Sequence, residues 1–240
     1  MQYLDLTFNT PEENLACDEA LLDLLEEGGH DEDILRFWEP EEPFVVLGRS
    51  RPAAVEVILE TCDHLKIPVL RRISGGGTVL QGPGCLNYAL ILHISPNAPF
   101  GTIASTNLTI IETNRNALAA DLEIHSEMAG DTDLAIKNLK FSGNSQRRKK
   151  KCLLFHGTFL CHFHIPLIEE VLTMPQRQPA YRQHRPHTEF LTNLRVPTHR
   201  IKASLKGHWH ADHPLKNIPK DRISRLVAEK YGNDQWNMKF

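Results

Sequence analysis

The chain has 240 residues, of which 41% are hydrophobic and 24% are charged, and its formal net charge is −3 at pH 7. This length suits one large domain, or one domain with a short appendage, and allows a substantial buried core. The charge lacks the strong bias typical of proteins that bind nucleic acid or an anionic membrane, so we expect neither as a partner.

The first elements predicted along the chain are a helix and two strands. Residues 10–13 read Thr-Pro-Glu-Glu, a capping box with proline at the first helical position. A helix should therefore run over residues 11–27 and stop at the glycines 28–29. Strand-like stretches follow at residues 34–38 and 44–47, and the acidic, proline-bearing turn between them predicts a hairpin.

A helix, two strands and a second helix are predicted next. Residues 54–65 carry apolar side chains at helical spacing, and residues 67–70 predict a strand that leads into a run of glycines. Residues 86–94 alternate cleanly and predict the strongest strand of the chain, with two faces of different polarity. Residues 103–122 are compatible with a long helix.

The second half of the chain predicts shorter elements. Residues 134–163 read as short strands joined by turns at Asn138 and Gly143. Residues 175–186 are rich in Pro, Gln, Arg and His, which indicates a surface loop.

The carboxyl-terminal part differs in character from the rest of the chain. Residues 198–219 are basic with little periodicity, whereas residues 220–231 predict one last amphipathic helix. No stretch is apolar for long enough to span a bilayer, and residues 1–10 do not resemble a secretion signal, so we expect a cytoplasmic protein. Five cysteines without paired short spacings predict reduced thiols rather than disulfides or a zinc site.

The most informative motif is the run of three glycines at residues 75–77, preceded by Arg71, Arg72 and Ser74. Glycine tolerates positive φ and has no Cβ, so such a loop can present backbone amides to a carboxylate or phosphate, with arginine charge beside it. The alternative is a flexible loop without a ligand. Adjacent strand residues point to opposite faces, so at most one arginine enters a pocket, and we favour Arg71.

A second cluster of polar residues follows about seventy positions later. Residues 130–134 read Gly-Asp-Thr-Asp-Leu, residues 140–146 read Lys-Phe-Ser-Gly-Asn-Ser-Gln, and residues 156–158 read His-Gly-Thr. An acidic pair can hold a metal ion, a lysine can neutralise a carbonyl or phosphate oxygen, and a glycine lets backbone approach closely. Together these features are typical of acyl-adenylate chemistry.

In these motifs the chain resembles the lipoate–protein ligase A family, which is related to octanoyltransferases and more distantly to biotin–protein ligases. The resemblance covers about the first 195 residues. It rests on residues 14–20, 48–49, 71–79, 133, 140–146 and 156–160. It implies an α/β (α+β) biotin/lipoate protein ligase-like catalytic domain over residues 1–195, with a mixed, mostly antiparallel sheet packed by helices. Residues 196–240 would be a short extension rather than a full accessory domain.

The resemblance also implies a reaction. Lipoate and ATP, with Mg²⁺, would form lipoyl-AMP, and the lipoyl group would pass to a lysine of an apo lipoyl domain or an H-protein-like acceptor. Lys140 would be the catalytic cation, and Asp133 would hold Mg²⁺. The alternatives from the residues alone are a surface lysine and an aspartate in a turn or at a strand edge.

Further residues would bind substrate or nucleotide by the same resemblance: Arg71, Ser74, Gly75, Gly76, Gly77, Thr78, Val79, Asp133, Ser142, Gly143, Asn144, His156 and Gly157. Asparagine after glycine is also common in turns, which is the alternative for Asn144, and His156 could equally be a core or hairpin histidine. The basic residues 147–151 would either be a solvated hairpin or steer an acidic acceptor domain towards the site.

Cys152 opens an alternative function. Cysteine-dependent octanoyltransferases take an acyl group from acyl carrier protein without ATP, and the neighbouring basic residues 147–151 could lower the pKa of this thiol. Cysteine is also a common small filler in a buried strand. A third reading is a non-catalytic lipoate-binding relative. Lipoate and octanoate are not distinguished by the sequence, and adenylation could require a separate partner subunit.

Overall fold

The computed structural model describes residues 1–94 and 99–240. Its helices are α1 (Pro11–Glu26), α2 (Ala53–Glu56), α3 (Leu59–Leu65), α4 (Ile103–Leu122), α5 (Pro166–Val171), α6 (His187–Phe190), α7 (Thr198–His208), α8 (Lys220–Leu226) and α9 (Asp234–Asn237). A 3₁₀ turn at Ala180–Arg182 and a π-helical turn at Val227–Tyr231 complete the helical segments of these residues.

The strands are β1 (Gln2–Asp5), β2 (Ile34–Trp38), β3 (Phe44–Leu47), β4 (Val69–Arg71), β5 (Val79–Gln81), β6 (Cys85–His93), β7 (Glu127–Ala129), β8 (Asp133–Ile136), β9 (Leu139–Arg148), β10 (Cys152–Leu160) and β11 (His213–Pro214). They form an eight-stranded main sheet, in the order β11-β1-β2-β6-β10-β9-β8-β7, and a three-stranded small sheet, in the order β4-β3-β5. In the main sheet β1 pairs in parallel with β2 and β11, and the other pairs are antiparallel. The predicted class, a mixed and mostly antiparallel sheet packed by helices, is confirmed.

The main sheet is covered on both faces. On one face Ala89 and Ile91 of β6 join the core formed with α1 and part of the small sheet. On the other face Leu90 and Leu92 join the core formed with α4 and α7. The predicted polarity difference between the faces of β6 is therefore wrong, because a sheet between two layers buries alternate residues on both sides.

The hairpin predicted between residues 34–38 and 44–47 is also wrong. Both strands exist, but β2 pairs with β1 and β6 in the main sheet, whereas β3 pairs with β4 and β5 in the small sheet. Every residue of both strands is buried, so no polar face was available to distinguish a hairpin from a crossing between sheets. The rings of Trp38 and Phe44 stack across this crossing, 6.3 Å apart.

The turn at Asn138 is confirmed, since Lys137 and Asn138 adopt positive φ values of 51° and 62°. A turn at Gly143 is wrong: β9 continues to Arg148 and pairs with β10 from Ser142 to Arg148. Gly143 instead makes room for a side chain, because a Cβ there would lie 2.8 Å from the Nζ atom of Lys140.

The two long helices α1 and α4 match their predicted ranges closely, and each begins with a capping box. The single helix predicted over residues 54–65 is broken, because Val57 is extended and pairs with Leu172. The weakly periodic segment 198–219 contains α7, whose Ile201 and Leu205 are fully buried and whose Ser204 Oγ donates to the carbonyl oxygen of Ala117 at 3.0 Å.

Residues 196–240 pack into both cores of the main sheet. Ile201 lies in the core beneath α4, and Tyr231 lies in the core beside α1. The division at residue 195 stays a prediction, as does the cytoplasmic location. Among the described residues, no helix combines the length and apolar character needed to cross a membrane.

Candidate active site

A cavity of about 790 Å³ lies between the main sheet, the small sheet and the segment that follows α5. Most of the predicted site residues line it: Gly76, Gly77, Thr78, Val79, Asp133, Lys140, Ser142, Gly143, Asn144, His156 and Gly157. Arg71, Ser74, Gly75 and Cys152 do not line the cavity. The fold therefore brings predicted residues from segments more than eighty positions apart to one cavity.

Lys140 and Asp133 form an ion pair in the wall of the cavity. The Lys140 Nζ atom lies 2.8 Å from Asp133 Oδ1, and the two side chains are 25% and 14% exposed. The other carboxylate oxygen, Oδ2, accepts a hydrogen bond from the Tyr181 hydroxyl at 2.7 Å. Since the Lys140 side chain lines the cavity and remains partly exposed, its ammonium can reach a ligand carboxylate or phosphate there.

The carboxylate oxygens of Asp133 and its neighbour Asp131 suit a metal ion that is held mainly by a bound nucleotide. Asp131 and Asp133 both line the cavity, and each Asp133 oxygen keeps a second lone pair after its bond to Lys140 or Tyr181. Within residues 1–94 and 99–240, no three His, Cys, Asp or Glu side chains converge as a metal site. Mg²⁺ commonly takes one or two protein carboxylates and completes its shell with phosphate and water, so the arrangement fits Mg²⁺ with a nucleotide.

Arg72 organises the glycine loop from below. Its guanidinium donates to the carbonyl oxygens of Gly77 at 2.8 Å and Val46 at 3.2 Å, and its Nε donates to Ser74 Oγ at 3.0 Å. Gly76 has a φ of +87°, and a Cβ there would lie 2.9 Å from the guanidinium. Glycine is therefore required where the loop bends over Arg72.

Arg71, which we favoured as the ligand contact, points away from the cavity, and Arg72 lines it. Arg71 is fully buried and donates to the carbonyl oxygens of Gly48, Arg51 and Asn237 at 2.7 to 3.1 Å. Only one of the two adjacent arginines lines the cavity, as strand alternation predicts, but alternation does not determine which one. Burial lowers the pKa of Arg72 to about 10, so Arg72 stays charged at neutral pH.

His156 reaches the glycine loop from β10. Its Nε2 atom lies 2.6 Å from Ser74 Oγ, which also accepts the bond from Arg72. Burial, and next the charge of Arg72, lower the pKa of His156 to about 3. The ring is therefore neutral near pH 7 and can offer a hydrogen bond, but no positive charge, to a ligand in the cavity.

Asn144 and Gly157 fit each other across β9 and β10. The Asn144 side chain accepts a hydrogen bond from the Tyr88 hydroxyl at 2.7 Å and donates to the carbonyl oxygen of Thr132 at 2.6 Å. A Cβ on Gly157 would lie 1.7 Å from Asn144 Oδ1, so only glycine fits. Asn144 is thus a cross-strand residue rather than a turn residue, and it ties the cavity wall to the segment before Asp133.

The structure does not bring Cys152 to the cavity, and its role as an alternative nucleophile stays a prediction. Its side chain is fully buried, lies outside the cavity wall and packs in the core beside α1. Burial, and next the negative charges of Glu26 and Asp33, raise the pKa of the thiol to about 11. The positive charges of Lys151 and Lys149 lower this pKa, but they have less effect than burial.

Sequence reasoning missed two polar residues of the cavity, Gln81 and Asn87, which bond to Thr158. The Gln81 side-chain amide donates to Thr158 Oγ1 at 2.7 Å, and that hydroxyl donates to Asn87 Oδ1 at 2.6 Å. Gln81 and Asn87 lie in otherwise apolar strands, where a single polar side chain facing inward is the signal that could have revealed them. An apolar end of the same cavity is lined by Leu15, Trp38 and Val46.

The comparisons with known proteins agree with this geometry. The model of the lipoyl protein ligase A/B catalytic domain family matches residues 10–203. Lipoate-protein ligase LplJ of Bacillus subtilis is 23% identical over 95% of this chain and 70% of its own length. Lipoate-protein ligase A subunit 1 of Thermoplasma acidophilum is 24% identical over 94% of this chain and 91% of its own length. Octanoyltransferase LipM of Clostridioides difficile is 29% identical over 63% of this chain and 62% of its own length.

Solved structures share the whole fold. A lipoate-protein ligase A bound with ATP has a TM-score of 0.83 at 23% identity and covers 99% of both chains. A putative lipoate protein ligase of Thermoplasma acidophilum with bound lipoic acid has a TM-score of 0.80 at 23% identity, covering 99% of this chain and 98% of that one. A bi-partite lipoate protein ligase of the same organism has a TM-score of 0.83 at 24% identity, with coverages of 99% and 96%. The chain belongs to the lipoyl protein ligase A/B catalytic domain family and is an enzyme of the lipoate–protein ligase group.

Proposed function

We propose that this protein attaches lipoate to a lysine of an acceptor protein in two steps driven by ATP. The observation that supports this best is that the partly exposed Lys140 side chain lines the same cavity as Gly76 and Gly77 of the glycine loop. In the first step the lipoate carboxylate attacks the α-phosphorus, the bond to the bridging oxygen breaks, and pyrophosphate leaves. Lipoyl-AMP is the product.

Each charged group of the site has a task in that step. Lys140 neutralises charge on the α-phosphate and the attacking carboxylate. The backbone amides of Gly76 and Gly77 supply hydrogen-bond donors that do not ionise. Asp133, with Asp131 near it, would hold Mg²⁺, which supplies charge neutralisation for the leaving pyrophosphate when bound. His156 contacts the glycine loop through Ser74. Because its ring is neutral near pH 7, it adds no positive charge to the site.

In the second step the ε-amine of the acceptor lysine attacks the lipoyl carbonyl carbon, an amide forms, and AMP leaves. The apolar end of the cavity at Leu15, Trp38 and Val46 suits the hydrocarbon part of the acid. The proposed acceptor is an apo lipoyl domain or an H-protein-like protein. A separate accessory subunit is a further proposed partner, since a protein of similar fold is described as a bi-partite lipoate protein ligase with an E2 lipoyl domain.

The first step is tested by release of pyrophosphate from ATP in the presence of lipoate and Mg²⁺. We expect wild-type protein to release it and Lys140→Ala to lose at least about a thousandfold in rate, the order of magnitude for removing a charged group from a transition state. Lys202→Ala is the matched control, because Lys202 also forms an ion pair but contacts Asp5 and Glu39 outside the cavity. Equal rates for wild type and Lys140→Ala would refute the role of Lys140.

A further inference from the structure

Tyr181 connects the segment covering the cavity to the proposed catalytic pair. Its neighbours Ala180 and Arg182 line the cavity, whereas the Tyr181 hydroxyl is directed at Asp133, 48 positions earlier in the chain, and donates to Oδ2 at 2.7 Å. The Tyr181 ring also packs on Phe190, with centroids 5.1 Å apart and planes inclined at 50°. The hydroxyl thus contacts the Asp133 oxygen that is not paired with Lys140.

The three side chains form one chain of hydrogen bonds. Asp133 accepts from Tyr181 on Oδ2 and from the Lys140 ammonium on Oδ1 at 2.8 Å. A carboxylate with one donor on each oxygen cannot rotate without losing a bond, so the donor on Oδ2 fixes the direction in which Oδ1 points. We infer that Tyr181 is a positioning residue that acts through Asp133 to hold the Lys140 ammonium at the cavity; this inference rests on the proposed function of Lys140.

The backbone around Tyr181 is tied to the same β-hairpin that carries Asp133 and Lys140. The Arg185 guanidinium donates to the carbonyl oxygen of Tyr181 at 3.0 Å and to that of Asn138, in the β8–β9 turn, at 2.9 Å. The phenol is therefore placed by the hairpin whose two functional side chains it orients.

The Tyr181 hydroxyl is the donor of this hydrogen bond and the Asp133 carboxylate is its acceptor. Tyr181 neither lines the cavity nor offers a reactive oxygen to a ligand, so a direct part in the chemistry is not required.

The test uses Tyr181→Phe, which removes only the hydroxyl, and Tyr231→Phe as the matched control. Tyr231 makes the same kind of bond, donating to Glu19 Oε2 at 2.7 Å, but lies in the core beside α1. With lipoate and Mg-ATP, we expect Tyr181→Phe to lower the kcat of pyrophosphate release about ten- to hundredfold, as loss of a hydrogen bond to a charged group does. The KM for lipoate should stay within about twofold, and Tyr231→Phe should leave both constants within about twofold.

A double variant shows whether Tyr181 acts through Asp133. In an Asp133→Asn background, adding Tyr181→Phe should lower kcat by less than about twofold, because residues that act as a unit are not additive. A full additional loss would overturn the inference, and so would a Tyr181→Phe enzyme with wild-type kcat.

A measurement on the unliganded protein separates this inference from the proposed function. The ¹⁵N–¹H resonance of the Lys140 ammonium, assigned by its loss in Lys140→Ala, should shift in Tyr181→Phe and not in Tyr231→Phe. If wild-type protein releases no pyrophosphate, the proposed function fails while this resonance still decides the positioning role. An unshifted Lys140 resonance in Tyr181→Phe overturns the inference whatever the activity.

Discussion

Arg72, Ser74 and His156 show how one site can contain a strong cation beside a neutral imidazole. Both side chains contact the Ser74 hydroxyl. Its Oγ atom lies 3.0 Å from Arg72 Nε and 2.6 Å from His156 Nε2. The permanent charge of Arg72, together with burial, keeps His156 unprotonated. A ligand with negative charge therefore meets the cations Arg72 and Lys140, while His156 fixes the loop between them.

This neutral histidine predicts a pH dependence of stability. The pKa of His156 falls from 6.5 in the unfolded chain to about 3 in the folded protein. Between these values the unfolded chain binds the extra proton, so this residue makes the free energy of unfolding rise with pH up to about 6.5 and remain level above it.

The variant His156→Gln removes that proton uptake. In urea unfolding between pH 4 and 7.5, we expect the rise of the free energy with pH to be steeper for wild type than for His156→Gln, by up to about 1.4 kcal/mol per pH unit. Above pH 7 the two proteins should differ by a constant amount. Parallel curves over the whole range would show that His156 titrates alike in both states.

At the scale of elements, the β9–β10 pair provides the floor of the site and depends on one close contact. Asn144 of β9 occupies the space beside Gly157 of β10, and its bonds to Tyr88 and Thr132 reach a neighbouring strand and the segment before β8. Since Lys140 lies on β9 and His156 on β10, the fit of these two strands sets the distance between the functional side chains.

Gly157→Ala tests that fit. The new Cβ would lie 1.7 Å from Asn144 Oδ1, so Asn144 must move and lose its bonds, and we expect a loss of about 3 kcal/mol in the free energy of unfolding. Gly207→Ala is the matched control, because nothing lies within 4 Å of a Cβ at that helical position; it should stabilise by up to about 1 kcal/mol. Similar losses in both variants would contradict the account of Gly157.

Local signals predicted some elements well and failed for others. The capping boxes at Thr10 and Thr102 are formed by residues three positions apart, so the sequence contains the whole interaction. Every residue of β2 and β3 is buried, so the sequence of either strand alone does not indicate which strand it pairs with. The break at Val57 depends on pairing with Leu172, more than a hundred residues away.

The same distinction holds within the site. Lys140 and the glycine loop were predictable because their motifs are contiguous in sequence. The choice of Arg72 over Arg71 depends on α9, whose Asn237 accepts hydrogen bonds from Arg71 across 166 positions. Tyr181 was missed because its segment carries only the composition of a loop, while its role depends on one contact with Asp133.

At the scale of the whole molecule, the two sheets and the segment after α5 enclose one cavity with an apolar end and a cationic wall. Residues 196–240 support it from outside: α7 packs in the core beneath α4, and α9 holds the arginine next to Arg72. The family match over residues 10–203 covers the strands that carry Lys140, Asp133 and His156. The architecture thus suits the proposed combination of a pocket for a hydrocarbon acid with a site for a nucleotide phosphate.

The most direct test of the central claim is the intact mass of an apo lipoyl domain after incubation with this protein, lipoate and Mg-ATP. The account predicts an increase equal to lipoate minus water, which is absent without ATP and absent with Lys140→Ala but retained with Lys202→Ala. An increase that persists in Lys140→Ala, or one that requires octanoyl-acyl carrier protein instead of lipoate and ATP, would contradict it.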